Sequence, residues 1–261
     1  MMLIIDVGNT NIMVGFFKNN SFLRFWRLQT LKSRTADEMG LLFTELIKTM
    51  GVLPNEVEAI AIACVVPPLT RALKEMSKVY FKKQAFFVEP GIKTGMPIMY
   101  DNPKEIGADR IVNAVAAVKE YGVPSIVIDF GTATTFDVIS PKGEYVGGVI
   151  APGVFISSEA LFEKSARLPR VEITDPKKVI GKNTIAAMQS GIFYGYVGVV
   201  NEITKKIEEE LETKCNYIAT GGLAELIAPC CDCNPIIDKI LTLKGIKILY
   251  DMNVKGDDQN E

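Results

Sequence analysis

The chain has 261 residues, of which 48% are hydrophobic and 23% are charged, and its net charge is −2. This composition is typical of a globular protein with one large domain or two smaller ones, and it lacks the basic excess expected of a nucleic-acid-binding protein. Histidine is absent, which excludes the Ser-His-Asp and Cys-His hydrolases.

The predicted elements of the first half alternate strands and helices. Its apolar runs predict strands at residues 3–6, 12–17, 22–28 and 59–65. Helical spacing of apolar residues predicts helices at 36–50, 69–81 and 107–119. We expect Pro67-Pro68 to end the fourth strand before the second helix begins.

The second half begins with a similar layout. Its predicted strands lie at 125–129, 135–140, 145–150 and 217–220. Helices are predicted to begin at 153 and 223, and a long helix is predicted over 184–211. The acidic tail, 256–261, is expected to be frayed.

Two segments separated by nearly half the chain share one pattern. Residues 3–28 and 125–150 each read as an apolar strand ending in Asp, a small loop, a second strand, a turn and a third strand. Asp6-Val7-Gly8-Asn9-Thr10 aligns with Asp129-Phe130-Gly131-Thr132-Ala133. Such a repeat predicts duplicated α/β domains, 1–120 and 121–261, with a cleft between them. The alternative is a pair of unrelated hairpins.

The two Asp-containing loops have the features of phosphate-binding loops. A glycine in a tight turn lets backbone N–H groups approach phosphate oxygens. Asp6 at a strand end could hold Mg²⁺, through water, and Thr220-Gly221-Gly222 leaves room for a planar ring such as adenine. P-loop and dinucleotide-binding fingerprints are both absent from the sequence. Ordinary turns remain the alternative for each loop.

A third region could supply a catalytic base. Phosphate transfer to an alcohol needs a carboxylate that accepts the hydroxyl proton, and Asp109 stands at a predicted helix start among small residues. Arg110 could bind a substrate anion, and Tyr100 could provide an aromatic wall. Alternatively, Asp109 caps the helix and Arg110 forms a surface ion pair.

The cysteines favour no metal site. Their odd number, five, argues against a disulfide framework. A zinc site needs four ligands, usually in separated pairs or with histidine, and no second pair accompanies Cys230-Cys231-Asp232-Cys233. We interpret these residues as loop thiols without a metal.

In order, these motifs resemble the acetate kinase, sugar kinase, heat-shock chaperone and actin superfamily. Tyr100-Asp101-Asn102-Pro103 and Ile106-Gly107-Ala108-Asp109-Arg110 resemble the substrate segment of the type III pantothenate kinase family. So do Gly147-Gly148-Val149-Ile150-Ala151-Pro152-Gly153, Leu168-Pro169, Gly181-Lys182-Asn183-Thr184 and Met188-Gln189-Ser190-Gly191. The resemblance extends from residue 1 to about residue 253.

The resemblance implies a fold, a reaction and a set of site residues. The fold would be duplicated ribonuclease-H-like (actin-like ATPase) domains with mixed sheets. The reaction would be ATP-dependent phosphorylation of pantothenate to 4′-phosphopantothenate, the first step of coenzyme A biosynthesis. Asp109 would be the general base. Pantothenate would be bound by Tyr100, Gly107, Ala108, Asp109, Arg110 and Thr184. ATP would be bound by Asp6, Val7, Gly8, Asn9, Thr10, Asn11, Ile12, Met13, Thr132, Gly221 and Gly222.

The resemblance also implies cofactors and a partner. Asp129 would lie at a monovalent cation site for K⁺ or NH₄⁺, and Mg²⁺ would accompany ATP. The working unit would be a homodimer in which Thr184 reaches the neighbour's substrate. Apolar residues and glycines along 184–200 suit close helix approach, although that helix could instead be buried in its own domain.

Location and two other functions complete the expectations. The apolar runs fall short of the roughly 20 residues of a membrane span, and the amino terminus lacks the basic segment of a signal peptide. We therefore expect a cytoplasmic protein without membrane or nucleic-acid partners. A kinase for another small hydroxylated metabolite stays open, as does a nucleotide-binding regulatory or actin-like assembly protein, which would need no alcohol-facing base.

Overall fold

The computed structural model describes residues 1–255, and the tail predicted to be frayed lies outside the described residues. The chain divides into two compact units that interleave in sequence. Among the described residues, the first contains 1–95, 102–116 and 242–255, and the second contains 96–101 and 117–241. A single boundary at 120/121 stays a prediction. No helix within residues 1–255 combines the length and apolar character needed to cross a membrane.

The first unit is built on a five-stranded mixed sheet. Its strands are β1 (Met2–Val7), β2 (Asn11–Lys18), β3 (Ser21–Gln29), β4 (Ala59–Cys64) and β5 (Phe86–Phe87). They lie in the order β3-β2-β1-β4-β5, with β1 to β3 antiparallel and β4 parallel to β1. The predicted meander and the predicted buried strand are therefore confirmed.

The helices of the first unit begin where capping chemistry allows. They include α1 (Ala36–Lys48), α2 (Pro67–Tyr80) and the start of α3 (Ala108–Tyr121). At the start of α1, Thr35 and Glu38 form a capping box. The predicted start of α2 at residue 69 is wrong, because Pro67 and Pro68 lie inside its first turn. Proline is suited to that turn, since its missing N–H would have no partner within the helix.

The second unit repeats the same sheet. Its strands are β6 (Ser125–Phe130), β7 (Ala133–Ile139), β8 (Tyr145–Pro152), β9 (Asn216–Gly221) and β10 (Ile236–Ile237). Their order is β8-β7-β6-β9-β10, with β6 to β8 antiparallel and β9 parallel to β6. Both sheets thus share strand order and direction, which confirms the predicted duplication.

Three helices, α4 (Val154–Lys164), α5 (Thr184–Leu211) and α6 (Ala224–Ile227), follow in the second unit. The long helix has its predicted bounds, and the Asn183 side chain caps it by accepting a hydrogen bond from the Ala186 N–H at 2.8 Å. Phe193 and Tyr196 of α5 pack with Phe136 in the core of this unit. The last helix, α7 (Leu241–Tyr250), was not predicted.

Candidate functional site

The first Asp-containing loop is a tight turn between β1 and β2. The Gly8 N–H donates to the Asn11 carbonyl at 3.0 Å, which closes the turn. Thr30, just after β3, holds it from outside: its hydroxyl donates to the Gly8 carbonyl at 2.7 Å and its N–H to the Thr10 carbonyl at 2.9 Å. The side chains of Asn9, Thr10 and Asn11 are exposed. This loop is therefore preorganised, with polar side chains open to a ligand.

The predicted ATP-binding residues beside this turn differ in how far their side chains are buried. The side chains of Val7 and Ile12 are fully buried, so that only their backbones could contact a ligand. Met13 is half-buried, as is Asp6 at the end of β1. Cys64 follows on the neighbouring strand β4, where burial and the negative charge of Asp6 raise the pKa of its thiol. The Asp6 carboxylate is thus close to the end of β4.

The second loop repeats the turn in the other unit. The Gly131 N–H donates to the Ala133 carbonyl at 3.1 Å, and Thr132 is exposed at the tip. Gly153 precedes α4 and lies so close that a Cβ there would be 1.9 Å from the Thr132 carbonyl oxygen. Only glycine permits that approach.

Asp129 lies in a cradle of glycines at the end of β6. Gly221 has a φ of +92°, and a Cβ there would lie 2.5 Å from the Asp129 Oδ1. A Cβ on Gly131 would lie 3.4 Å from the same oxygen. The Gly222 N–H donates to the Phe130 carbonyl at 3.0 Å. The structure therefore brings together Asp129, the second loop and the predicted adenosine Gly-Gly.

Asp109 is the second residue of α3 and belongs to the first unit. Its Oδ1 accepts a hydrogen bond from the Arg110 N–H at 2.9 Å. Burial raises the pKa of Asp109, and the hydrogen bond and charge of Arg110 oppose that rise. Arg110 is only 8% exposed, so its side chain is not at the surface, where the alternative interpretation placed it. Asp109 also lies inside the first turn, whereas a capping residue would precede it.

Gly107 sets the position of the Asp109 carboxylate. A Cβ on Gly107 would lie 2.4 Å from the Asp109 Oδ1 and 4.0 Å from a methyl group of Val65. The start of α3 therefore packs against the segment that follows β4. The glycine leaves space that any other residue would take from the carboxylate.

A cavity of about 310 Å³ opens beside this helix start, within the first unit. Its volume falls in the range of small-molecule sites. Ile106, Gly107 and Ala108 line it together with residues that lie outside the sequence motifs. These are Cys64, Val65, Thr70, Phe87, Val88, Glu89, Pro90, Lys104 and Glu105. No sequence signal marks them, because they come from four separate segments.

Tyr100 belongs to a short segment of the second unit that runs beside β8. Its half-buried ring lies 6.3 Å from the Tyr145 ring, centroid to centroid. Ile98 bridges to Tyr145 in the same segment. Tyr100 is thus grouped with β8, while Gly107 to Arg110 lie in the other unit.

The amino-terminal half of α5 presents one face to solvent. Thr184, Gly191, Gly195 and Gly198 are exposed there, and added Cβ atoms at the three glycines would meet nothing within 4 Å. Of the apolar residues along 184–200, Met188, Ile192, Phe193 and Tyr196 are buried in their own unit, which is the alternative that the sequence left open for them. The glycine face is what remains open to another molecule.

Three cysteines of the second unit contribute to its core: Cys231 is buried there, and Cys215 and Cys233 pack against it. Burial raises the pKa of Cys231 to about 12 and that of Cys215 to about 11. All five cysteines are free thiols. Throughout the described part of the chain, no group of three or more Cys, Asp or Glu side chains is arranged to hold a metal ion.

Comparison with known proteins shows which family the chain resembles. A family model described as type III pantothenate kinase matches residues 2–206. The type III pantothenate kinase of Geobacter sulfurreducens is 51% identical over 253 residues, a match that covers 97% of this chain and 99% of the relative.

Solved structures support the fold. A Campylobacter jejuni protein described as belonging to the Baf family has a TM-score of 0.60 at 21% identity, covering 97% of this chain and 99% of its own. The activator of 2-hydroxyisocaproyl-CoA dehydratase from Clostridium difficile, with bound ADPNP, has a TM-score of 0.57 at 11% identity, covering 99% and 97%. The chain therefore has the duplicated actin-like ATPase fold expected from its sequence.

Proposed function

The chain belongs to the type III pantothenate kinase family, and we propose that it performs the family reaction with Asp109 as general base. In that reaction the γ-phosphate of ATP is transferred to a hydroxyl of pantothenate, the first step of coenzyme A biosynthesis. The observation that carries the assignment of the base is the half-buried Asp109 carboxylate, held at the start of α3 beside the 310 Å³ cavity.

Asp109 would accept the proton of the attacking hydroxyl. A general base works best when its pKa approaches the working pH, and burial shifts Asp109 in that direction. The Arg110 N–H fixes one carboxylate oxygen at 2.9 Å, and the substrate hydroxyl would approach the carboxylate at its other oxygen. Gly107 and Ala108 line the cavity where pantothenate would bind, and Tyr100, Arg110 and Thr184 would complete its contacts.

The two glycine turns would bind the phosphates of ATP. The exposed polar side chains of Asn9, Thr10 and Asn11 support this role for the first turn, as does its bracing by Thr30. Thr132 would serve the second turn, and Gly221 with Gly222 would face the adenosine. Backbone contacts alone would come from Val7 and Ile12.

The family reaction uses ATP with a divalent metal ion. The half-buried Asp6 carboxylate at the end of β1 fits Mg²⁺, which prefers oxygen ligands. When bound with ATP, Mg²⁺ neutralises phosphate charge. For K⁺ or NH₄⁺ we propose Asp129, because Gly131 and Gly221 both approach its Oδ1 closely, which places the carboxylate beside the second loop and the Gly-Gly turn.

We further propose a homodimer, in the cytoplasm where ATP is available. The open glycine face of α5 would let a second copy approach closely, and apolar side chains nearby in the same unit are exposed. Ile150 is 62% exposed, Phe155 57% and Ile185 51%. Thr184 begins this face, so that a partner could receive it at its own site.

A direct assay tests the reaction. Incubation with Mg-ATP, K⁺ and pantothenate should yield 4′-phosphopantothenate, and the Asp109→Asn protein should keep ATP binding while losing about 10²–10⁴-fold in turnover. A panel of sugars and small hydroxy acids, run alongside, distinguishes a kinase for another metabolite. Wild-type turnover in a folded Asp109→Asn protein would refute the assignment of the base.

Subunit exchange tests the dimer. Asp109→Asn and Thr184→Ala proteins, each impaired alone, should regain part of the activity when mixed, since one site of each mixed dimer is intact. Light scattering should give twice the 28.7 kDa chain mass. A monomer with full activity would rule the dimer out.

A further inference from the structure

We infer that Tyr145 and Asp137 form a positioning pair that fixes the ring of Tyr100 for pantothenate binding. The inference rests on the proposed function, because it takes Tyr100 as a substrate contact. Neither Tyr145 nor Asp137 is singled out by the sequence motifs. All three residues belong to the second unit.

The pair is a buried hydrogen bond between an aromatic hydroxyl and a carboxylate. Tyr145 and Asp137 are each 0% exposed, and the Tyr145 hydroxyl donates to the Asp137 Oδ1 at 2.7 Å. The Thr135 hydroxyl lies 3.5 Å from the other carboxylate oxygen. Burying a carboxylate is costly unless donors satisfy it. The Tyr145 ring is therefore held in one place by its hydroxyl as well as by packing.

The backbone of Tyr145 also anchors the segment that carries Tyr100. The Tyr145 N–H donates to the Pro97 carbonyl at 2.8 Å, and the Met99 N–H donates to the Tyr145 carbonyl at 2.8 Å. These two bonds extend the sheet by one short parallel bridge at Ile98. Tyr100 follows Met99 directly, so its Cα is tied to β8.

The side chain of Tyr100 then rests on two surfaces of β8. Its ring lies 6.3 Å from that of Tyr145 with the planes tilted by 50°, a favourable aromatic arrangement. Gly147 is the second surface, with a φ of +134° that favours glycine, and a Cβ added there would lie 3.9 Å from the Tyr100 ring. Strand β8 therefore fixes both the backbone and the ring of Tyr100. The hydrogen bond of the Tyr145 hydroxyl fixes the Tyr145 ring, on which the Tyr100 ring packs.

The same unit contains a matched pair that is remote from this arrangement. The Tyr121 hydroxyl donates to the Asp238 Oδ2 at 2.8 Å, and Asp238 is 6% exposed. This pair has the same chemistry and a similar length, although Tyr121 is half-buried whereas Tyr145 is fully buried. Tyr121→Phe therefore reports what losing such a bond does to stability without touching the support of Tyr100.

Kinetics of Tyr145→Phe provide the test. We expect the KM for pantothenate to rise about 3–10-fold, the effect of one lost hydrogen bond, while kcat and the KM for ATP change less than about twofold. Tyr121→Phe should also lower the melting temperature, by a smaller amount, and leave the KM for pantothenate unchanged. Asp137→Asn keeps an acceptor oxygen for the Tyr145 hydroxyl and should give a smaller rise. The Asp137→Asn variant replaces Tyr145→Phe in this test if the Tyr145→Phe protein does not fold.

Combination with Tyr100→Ala separates positioning from general stability. If Tyr145 acts through the Tyr100 ring, adding Tyr145→Phe to Tyr100→Ala should raise the KM for pantothenate no further. An undiminished effect in that background would overturn the inference, as would a wild-type KM in Tyr145→Phe or an equal rise in Tyr121→Phe. A wild-type KM in Tyr100→Ala alone would also overturn the inference, because Tyr100 would then not contact pantothenate. Failure of the proposed function appears separately, as no phosphorylation of pantothenate by the wild-type protein.

Discussion

Gly107→Ala is the substitution that tests the assigned base most directly, because it moves the Asp109 carboxylate without changing its chemistry. The added Cβ would lie 2.4 Å from the Asp109 Oδ1. Real Cβ contacts are essentially never shorter than 3.0 Å, so the two atoms must separate by at least 0.6 Å. The carboxylate is the mobile partner, and its shift strains the 2.9 Å bond from the Arg110 N–H.

The expected loss follows from that displacement. A misplacement of about 1 Å at a catalytic group can cost about 10²-fold, so the shift should lower kcat by about 10–10²-fold. The rest of the site should be preserved, because Val65 lies 4.0 Å from the added atom, an ordinary contact. The KM for ATP and the melting temperature should change little.

Steady-state kinetics of Gly107→Ala, Asp109→Asn and the double variant measure the effect. If the alanine acts by displacing the base, it should cost almost nothing once Asp109 is already asparagine. Full additivity of the two losses in free energy would refute this reasoning. A wild-type kcat in folded Gly107→Ala would equally show that the carboxylate position does not limit the reaction.

Three other outcomes are expected. Because burial raises the folded-state pKa of Asp109 above its ordinary 3.8, the folded state holds the proton more tightly than the unfolded chain does, and stability falls as pH rises between the two pKa values. Asp109→Asn should therefore melt at a higher temperature than wild type at pH 7, with the advantage vanishing below pH about 4, whereas a lower melting temperature at pH 7 would contradict this. Replacing Na⁺ with K⁺ at constant ionic strength should raise the rate, and Asp129→Ala should abolish that increase. Equal rates in both salts would show that the proposed cation site at Asp129 is wrong. Iodoacetamide at pH 8 should label the exposed Cys230 long before Cys231, whose pKa is about 12, and mass spectrometry showing equal labelling would disprove the burial argument.

The repeat and most elements were predictable because their signals are local. Strands β1 to β3 and β6 to β8 follow from short apolar runs between turn residues. α7 was missed, although Leu241, Leu243, Ile246 and Leu249 are all fully buried. Gly245 lowers helix propensity in its middle. The glycine is needed for packing, since a Cβ there would lie 2.1 Å from the Val112 carbonyl oxygen.

The motifs of the candidate site are visible in the sequence, whereas the residues that hold those motifs in place are not. Asp109 is placed by a helix start, which the sequence marks with small residues and a following apolar stripe. The burial of Arg110 and the cavity beside Gly107 depend on segments distant in sequence. The role of Thr30 could not be predicted either. Its hydrogen bonds to the first turn depend on the register of β2 with β3, in which Asn11 pairs with Gln29.

The glycine turns of the two repeated units are similar in form but are held by different contacts. In each, a glycine N–H closes the turn on a carbonyl, at 3.0 Å from Gly8 and 3.1 Å from Gly131. The first is held by the Thr30 side chain, which reaches it from the end of β3. The second is approached by Gly153 ahead of α4, where no side chain would fit. The two loops therefore share a turn closed by a glycine N–H, one residue shorter in the second unit, and each turn is held by different contacts.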